Sequence, residues 1–277
     1  SAISPGQAHN IFVADLAQTD LMTVIMAQVP AAIVASIVAV VTLTIVATVR
    51  KEGPDEARRL AYHAQLEKEE GGSDFHVNPL YAIVPLVPLV LLVLGSKQIA
   101  VLPLTDVPTA MIVGTVLALV VTRQNPQEIT RKFFDGMGEA YGGVIGLIVS
   151  AAVFTAGMAA MGLTDALIEA MKGSESIARI AGAFGPFIIA VISGSGDAAA
   201  LAFNGAITPQ AEAFGMSIID LGSLAQMAGS IGRSMSPVAG AALVCAGLAK
   251  VSPMELSKRN ALPMLLATIT FMIVLFL

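Results

Sequence analysis

Two short elements rich in Ser, Pro and Gly constrain the fold of this chain more than any other feature. The sequence opens with SAISPG at residues 1–6, and GRSMSPVAG follows near its end, at residues 232–240. Both elements lie beside long apolar runs. In the hydrocarbon of a bilayer, irregular backbone survives only where protein or a cavity surrounds it. Paired interruptions of this kind are the best sequence sign of a transporter binding site that is built from two repeats.

The composition supports a membrane location. Of the 277 residues, 56% are hydrophobic and only 13% are charged, whereas a soluble domain carries about 25% charge. No basic face or stacking aromatic cluster is present, which argues against nucleic-acid binding. Cys245 is the only cysteine, so the chain has neither a disulfide framework nor a cysteine metal site, and we expect this residue to pack as a small apolar side chain.

The apolar runs predict an all-α polytopic membrane protein. The expected spans are 21–49, 79–95, 108–122, 143–163, 217–248 (broken at 232–237) and 261–277. The strongly charged stretch 50–78 is expected to form a cytoplasmic helix and linker. Residues 125–141 combine apolar and charged side chains at helical spacing, which predicts a helix in the membrane interface.

Residues 180–207 predict a re-entrant helical hairpin rather than a span. Two apolar arms of about 10 to 14 residues flank SGSGD at residues 193–197, and a span needs about 20 residues. If this hairpin does not cross the membrane, Lys and Arg residues in loops divide eleven to three in favour of the cytoplasmic side, as the positive-inside rule requires. The segments through the two breaks then run in opposite directions, which indicates inverted repeats.

The second break is the first candidate site. Pro237 removes a backbone donor and leaves carbonyl groups unpaired, so Ser234, Ser236 and the unwound turn offer ligands for a cation or an anion. A structural kink is the alternative interpretation. Arg233 is the only basic residue placed in a span, and two roles stay open for it: contact with a substrate carboxylate, or an ion pair with Asp197.

The hairpin tip and the stretch after the first break supply further candidates. Asp197 is interpreted as a site for a coupling proton or cation, as a solvated carboxylate, or as a helix cap. Asn204 lies on the same helix face and is equally well explained by helix packing. Gln7 and Asn10 continue a polar stripe, in which the favoured interpretation of His9 is a satisfied packing residue.

Three motifs carry a resemblance to a known family. SAISPGQAHN at 1–10, GSGDAA at 194–199 and GSIGRSMSP at 229–237 together resemble the DcuC family of anaerobic C4-dicarboxylate carriers, within the superfamily that contains the INDY-type transporters. The resemblance covers essentially the whole chain, as the C-terminal three-fifths of such a carrier. Upstream sequence that contains a first hairpin is therefore expected before residue 1.

The resemblance implies a homodimer in which each protomer has a scaffold domain and a mobile transport domain. The transport domain would contain two hairpins and two broken helices, and residues 180–207 match the second hairpin. INDY-type members carry Ser-Asn-Thr at the hairpin tips, but this tip reads SGSGD. Sodium coupling is therefore not carried over, and proton coupling or exchange is equally open.

The expected organisation and site follow from these motifs. The regions are 1–20 (end of the first-repeat transport domain), 21–49 (span), 50–78 (charged loop), 79–163 (second-repeat scaffold) and 164–277 (second-repeat transport domain and final span). The expected substrate-binding residues are Ser4, Gln7, Asn10, Ser193, Ser195, Asn204, Arg233, Ser234 and Ser236. The expected helix-break or coupling-ion positions are Pro5, Gly6, Gly194, Gly196, Asp197, Gly232 and Pro237. No cofactor and no definite metal site are predicted, and a sodium ion would bind at the loops of Ser4 and Ser236.

The predicted function is secondary active transport of C4-dicarboxylates such as succinate and fumarate, across a bacterial inner membrane and without enzymatic activity. Two alternatives remain open. Residues 194–197 fit the Gly-x-Gly-Asp pattern of intramembrane aspartyl proteases, which require a second carboxylate inside the membrane, but the other aspartates fall near span ends or in loops. A membrane subunit of a sodium-pumping decarboxylase would use similar broken helices.

Overall fold

A computed structural model describes residues 4–5, 7–52, 81, 83–95, 101–102, 106–123, 125–171 and 174–277. Within these ranges the secondary structure is helical and contains no strand, which confirms the all-α prediction. Most of the charged stretch expected at 50–78 lies outside the described residues, and so does Gly6.

The described ranges contain twelve α-helices. In chain order they are α1 (Ala8–Leu16), α2 (Leu21–Val49), α3 (Val87–Leu94), α4 (Val107–Thr122), α5 (Pro126–Ala140), α6 (Gly146–Ala160), α7 (Leu163–Met171), α8 (Glu175–Ser193), α9 (Gly196–Ala206), α10 (Ile218–Met235), α11 (Gly240–Ala249) and α12 (Pro253–Leu275). Turns of 3₁₀-helix lie at Val84–Leu86 and Thr208–Phe214, and a π-helical turn lies at Tyr141–Ile145.

Four helical segments of the described part of the chain are long and apolar enough to cross a membrane. They are Leu21–Val49, Glu175–Ser193, Ile218–Ala249 and Pro253–Leu275. The first has the same bounds as the predicted span. The runs expected to span at 79–95, 108–122 and 143–163 contain shorter apolar helices. Large apolar side chains such as Val40 and Ile45 are more than half exposed, as expected for helices that face lipid. The chain is an integral membrane protein.

Helix α5 confirms that the amphipathic segment expected at 125–141 is helical. Asn125 caps it, because its side chain accepts a hydrogen bond from the backbone amide of Gln127. Phe133, Phe134 and Met137 are more than half exposed on this helix. An exposed apolar face beside charged residues suits a helix that lies in the membrane interface.

Helices α8 and α9 form a hairpin whose turn lies at Gly194 and Ser195. Gly194 has φ +74°, and a Cβ atom there would lie 3.1 Å from the backbone nitrogen of Ala239, so the turn requires glycine. The expectation of two short arms is wrong for the first arm, which has 19 residues and begins at Glu175. The first turn of this arm is polar, and the ion pair between Glu175 and Arg179, four residues apart on the helix, stabilises it.

The break in the last third of the chain is confirmed, but it lies later than expected. Helix α10 continues to Met235, and residues 236–239 separate it from α11. Ser236 is extended (φ −74°, ψ 129°) because the ring of Pro237 disfavours helical geometry in the preceding residue. Gly232 stays helical, where a Cβ atom would lie 2.4 Å from the carbonyl oxygen of Phe187. Arg233 therefore belongs to the last turn of α10 rather than to the break.

The segments that follow the two breaks share one backbone pattern. The same number of residues separates Pro5 from the start of α1 and Pro237 from the start of α11. At equal distances beyond, Gln18 and Lys250 each adopt a left-handed conformation, with φ 50° and 53°. Each short helix is therefore followed by the same type of turn.

The long helices that come next also match. The side chain of Asp20 caps α2 and that of Ser252 caps α12, again at equal distances from the two prolines. Each helix contains an internal proline, Pro30 or Pro263. Helices α2 and α12 pack against each other, and Arg259 on α12 forms an ion pair of 2.8 Å with Glu52, just beyond the end of α2.

Helix α10 is the centre of the packed region. It contacts α1, α2, α8, α9 and α12, and Leu221, Leu224 and Ala225 on it are fully buried. It also lies very close to α9 at Gly196 and Gly229, where a Cβ atom on either residue would lie 2.7 Å from the carbonyl oxygen of the other. This approach sets the start of α9 against the second half of α10.

We expect the substitution Gly229→Ala to destabilise the protein, because the added methyl group would overlap the Gly196 carbonyl. Overpacking of this kind costs about 1–3 kcal/mol, and the midpoint of thermal unfolding in detergent should fall. The matched control is Gly247→Ala in α11, where nothing lies within 4 Å of the new Cβ and helix propensity favours Ala by about 1 kcal/mol. Equal midpoints for the two variants would contradict the close packing.

Candidate functional site

A cavity of about 470 Å³ lies between the hairpin, the end of α10, and helices α11 and α12. Binding pockets for small molecules begin at about 300 Å³, so the cavity is large enough for a small organic anion. Its principal polar lining residues are Gln7, His9, Asp197, Ser230, Arg233 and Asn260. Residues that follow the first break and residues on both sides of the second therefore face one space.

Arg233 supplies the positive charge of the cavity. It lies in the last turn of α10, its side chain is exposed to the cavity, and it donates no hydrogen bond to another described residue. A cationic side chain in a membrane-spanning helix usually faces a partner or a water-filled cavity. Of the two roles left open by the sequence, the ion pair with Asp197 is not formed.

Asp197 pairs with His9 instead. The carboxylate Oδ1 of Asp197 lies 3.2 Å from Nδ1 of His9. His9 is 2% exposed, and its second nitrogen, Nε2, has no hydrogen-bond partner among the described residues. The favoured interpretation of His9 as a satisfied packing residue is therefore wrong. Its Nδ1 atom pairs with Asp197, but its Nε2 atom is buried without a hydrogen-bond partner among the described residues.

The hydroxyl groups at the hairpin tip shape the turn. Ser195 caps α9, since its Oγ accepts a hydrogen bond of 3.2 Å from the amide of Ala198. Ser193 Oγ accepts another of 3.2 Å from the amide of Ser195. Neither serine lines the cavity. Because Ser195 provides the cap, the carboxylate of Asp197 remains available for His9.

Hydrogen bonds hold the non-helical backbone at Ser4 and Pro5, where the sequence predicts the first break. The carbonyl oxygen of Ser4 accepts from the amide of Gln7 at 3.1 Å and from the side chain of Asn10 at 2.8 Å. The Oδ1 atom of Asn10 in turn accepts from Nε2 of Gln28 at 3.0 Å. Pro5 is buried beside them. Of this group only Gln7 reaches the cavity.

The remaining predicted residues divide into two sets. Ser234 lines the cavity and donates to the carbonyl of Ser230 at 3.3 Å. Ser236 is fully buried and accepts from the amide of Val238 at 3.3 Å, away from the cavity. Asn204 is also buried away from it, bonded to the carbonyl of Gly222 and the hydroxyl of Thr208.

Asn260 and Cys245 are among the residues that the sequence reasoning missed and that line the cavity. Asn260 donates a hydrogen bond of 2.9 Å to the carbonyl of Ser234, at the end of α10. Cys245 was expected to pack as a small apolar side chain, whereas it lines the cavity with an exposed side chain. A signal for Asn260 exists: Ser252-Pro253 is a typical helix start and places residue 260 inside α12 rather than before it.

Neither metal chemistry nor the protease alternative gains support in the described part of the chain. It contains no group of three His, Cys, Asp or Glu residues arranged to hold a metal ion. The residue that faces Asp197 is His9, and no second aspartate lines this cavity. Intramembrane aspartyl catalysis needs two carboxylates that share a proton.

Comparison with known proteins gives a consistent result. The family model described as "C4-dicarboxylate anaerobic carrier", DcuC, matches residues 1–277. The chain is 41% identical over 272 residues to a Haemophilus influenzae protein named as an uncharacterized transporter. The aligned region covers 96% of this chain and 97% of that protein. No solved structure is significantly similar.

More distant relatives have functional names. The chain is 29% identical over 210 residues to the probable anaerobic C4-dicarboxylate transporter DcuC of Vibrio cholerae, which covers 70% of this chain and 44% of that protein. It is 30% identical over 199 residues to the anaerobic C4-dicarboxylate transporter DcuC of Escherichia coli K12, which covers 68% and 42% respectively. The matched regions are thus less than half the length of these two carriers.

We expect Asn260→Ala to lower the stability of the protein by about 1 kcal/mol, because it removes a hydrogen bond to the Ser234 carbonyl. The measurement is the midpoint of thermal unfolding in detergent. Thr268→Val serves as the control in the same helix, since the Thr268 hydroxyl bonds only within α12, to the carbonyl of Met264. A larger loss in the control than in Asn260→Ala would contradict the assignment.

Proposed function

Because the chain belongs to the DcuC family of C4-dicarboxylate anaerobic carriers, we propose that it works in secondary active transport of succinate, fumarate and similar dianions. The relatives named DcuC supply the substrate class. The family is one of carriers, so the chain is not an enzyme. The proposed location is a bacterial inner membrane, where the protein would act as a homodimer.

The observation that carries this proposal is the unpaired guanidinium of Arg233 in the cavity. Arg can bind a carboxylate through two parallel hydrogen bonds. The same cavity is lined by Ala239, Ala241 and Ala242 at the start of α11, and helix N-termini attract anions through their free amides and dipole. A carboxylate of the substrate would therefore bind between Arg233 and the start of α11.

Alternating access is the mechanism that we propose for the movement of the bound anion. The equal spacing of break, short helix and capped long helix after Pro5 and Pro237 supports an inverted repeat. In this proposal the hairpin α8–α9 and the broken helix α10–α11 belong to the transport domain, which carries the cavity from one side to the other. Exchange, proton coupling and sodium coupling are the three possible driving modes, and sodium would bind at the Ser4 and Ser236 loops.

The proposal predicts that Arg233→Gln lowers succinate transport about 10- to 100-fold, since hydrogen bonds to charged groups contribute about 1.5–3 kcal/mol. The measurement is uptake of radiolabelled succinate by proteoliposomes that contain the full chain and unlabelled succinate inside, with sodium and proton gradients varied. Arg131→Gln is the matched control, because Arg131 is exposed on α5 with its side chain 84% accessible.

The outcomes separate the candidate functions. Uptake that is driven by internal succinate without a gradient would support exchange, and uptake that requires a gradient would identify the coupling ion. Equal uptake by Arg233→Gln and the native chain would contradict the site. Absence of uptake under every condition, together with soluble subunits that co-purify, would favour the decarboxylase alternative.

A further inference from the structure

The cavity contains a carboxylate as well as a guanidinium, and the binding of a dianion by Arg233 gives that carboxylate no role. The carboxylate belongs to Asp197, which lines the same cavity as Arg233. We infer that Asp197 binds an ammonium group of the substrate, so that the site favours 2-amino dicarboxylates, such as aspartate, over dicarboxylates without an amino group. This inference rests on the proposed function and names the substrate class within it.

Asp197 has one oxygen atom left for a ligand. Its Oδ1 atom pairs with Nδ1 of His9 at 3.2 Å. The side chain is nevertheless 47% accessible and lines the cavity. Both oxygen atoms of a carboxylate accept hydrogen bonds. The Oδ2 atom can therefore accept from an ammonium group of a ligand in the cavity.

The pair of His9 and Asp197 keeps the negative charge of the carboxylate. The Nε2 atom of His9 is buried and has no partner among the described residues. A charged ring would carry a proton there, and a charged donor that is buried without an acceptor costs more than a neutral acceptor in the same place. His9 therefore donates from Nδ1 as a neutral ring, and the Asp197 carboxylate, like other aspartates at neutral pH, stays negative.

Arg233 and Asp197 lie close enough for one small molecule to contact both. A Cβ atom on Gly196, which precedes Asp197, would lie 3.2 Å from the Cα atom of Ser230. Arg233 is three residues beyond Ser230 on α10, so these two side chains share a face of the helix. The charge of Arg233 acts on the carboxyl group of Asp197, yet no ion pair joins the two side chains. A ligand that carries both charges on neighbouring atoms can bridge them.

The charges of the cavity match an amino dicarboxylate better than a dianion. An α-amino acid carries an ammonium group and a carboxylate on one carbon atom, and these groups complement Asp197 and Arg233. The second carboxylate then faces neutral lining residues, which include Gln7 and Asn260, instead of Asp197. Specificity arises from attraction of the ammonium group and from repulsion of a carboxylate at the same place.

Cys245 provides a readout of binding that does not depend on transport. It is the only cysteine of the chain, and its exposed side chain lines the same cavity. The full chain in proteoliposomes is labelled with a maleimide at neutral pH, and the concentration of each ligand that halves the labelling rate is measured. L-Aspartate is compared with L-malate, which has a hydroxyl group in place of the ammonium group, and with succinate, which has neither.

In the native chain, we expect L-aspartate to protect Cys245 at a concentration about tenfold lower than L-malate or succinate, because a hydrogen bond between charged groups contributes at least this factor. Asp197→Asn should remove this advantage. Aspartate should then bind more weakly than in the native chain, and succinate should bind more tightly because the repulsion is gone. A general disturbance of the fold would not change the two affinities in opposite directions.

The matched control is Asp220→Asn, the same substitution at the other end of α10, where the side chain of Asp220 is bonded to Ser217. This variant should keep the native order of the ligands. If Asp197→Asn does not fold, which thermal unfolding would reveal, the comparison of aspartate with malate in the native chain still tests the inference. An unchanged advantage of aspartate in a folded Asp197→Asn variant would overturn it.

The failure of this inference is distinguishable from that of the proposed function. If malate and succinate protect native Cys245 as well as aspartate does, the ammonium contact is wrong while the dicarboxylate site stands. If none of the three ligands protects it, both the site and the contact fail.

Discussion

The structure depends on one constraint: a helix that is interrupted inside hydrocarbon must find partners for the backbone groups that the interruption frees. At the second break, an amide bonds to the hydroxyl of Ser236, and the carbonyl of Ser234 accepts from Asn260. At the first break, the carbonyl of Ser4 accepts from Asn10. Most of the serine and asparagine side chains that surround the breaks therefore support the backbone. Few polar side chains near the breaks are therefore left to line the cavity, so its character is set mainly by the charged side chains of Arg233 and Asp197.

Close packing connects that constraint to the site. The approach of Gly196 to Gly229 lets α9 begin directly against α10, and the cap supplied by Ser195 leaves the neighbouring carboxylate of Asp197 unused by its own helix. The carboxylate can then pair with His9, which arrives from the opposite end of the sequence. A substitution that separates the hairpin from α10 would thus change the charge distribution of the cavity as well as the stability of the fold.

The sequence predicted those features that have a local cause. The bounds of Leu21–Val49 follow from the apolar run and the Asp20 cap, and the break follows from the missing donor of Pro237. The tip of the hairpin follows from its glycines. The site was predictable only in part, because the pairing of His9 with Asp197 joins residues that no sequence spacing connects. The sequence also does not show whether the serine hydroxyls near the hairpin tip bind a ligand or stabilise the turn. Only the assembled helices distinguish between these uses.

The equal spacing after the two prolines has a consequence for how this chain can vary in length. Each short helix and each left-handed turn sets the rotation at which the following long helix meets its neighbour, and α2 and α12 pack against each other. One residue inserted in α11 before Cys245 would rotate all later side chains of that helix by about 100°, which would move Cys245 away from the cavity. Related sequences should therefore tolerate substitutions in these segments far more readily than insertions or deletions, and length differences should gather in the connections between the helices.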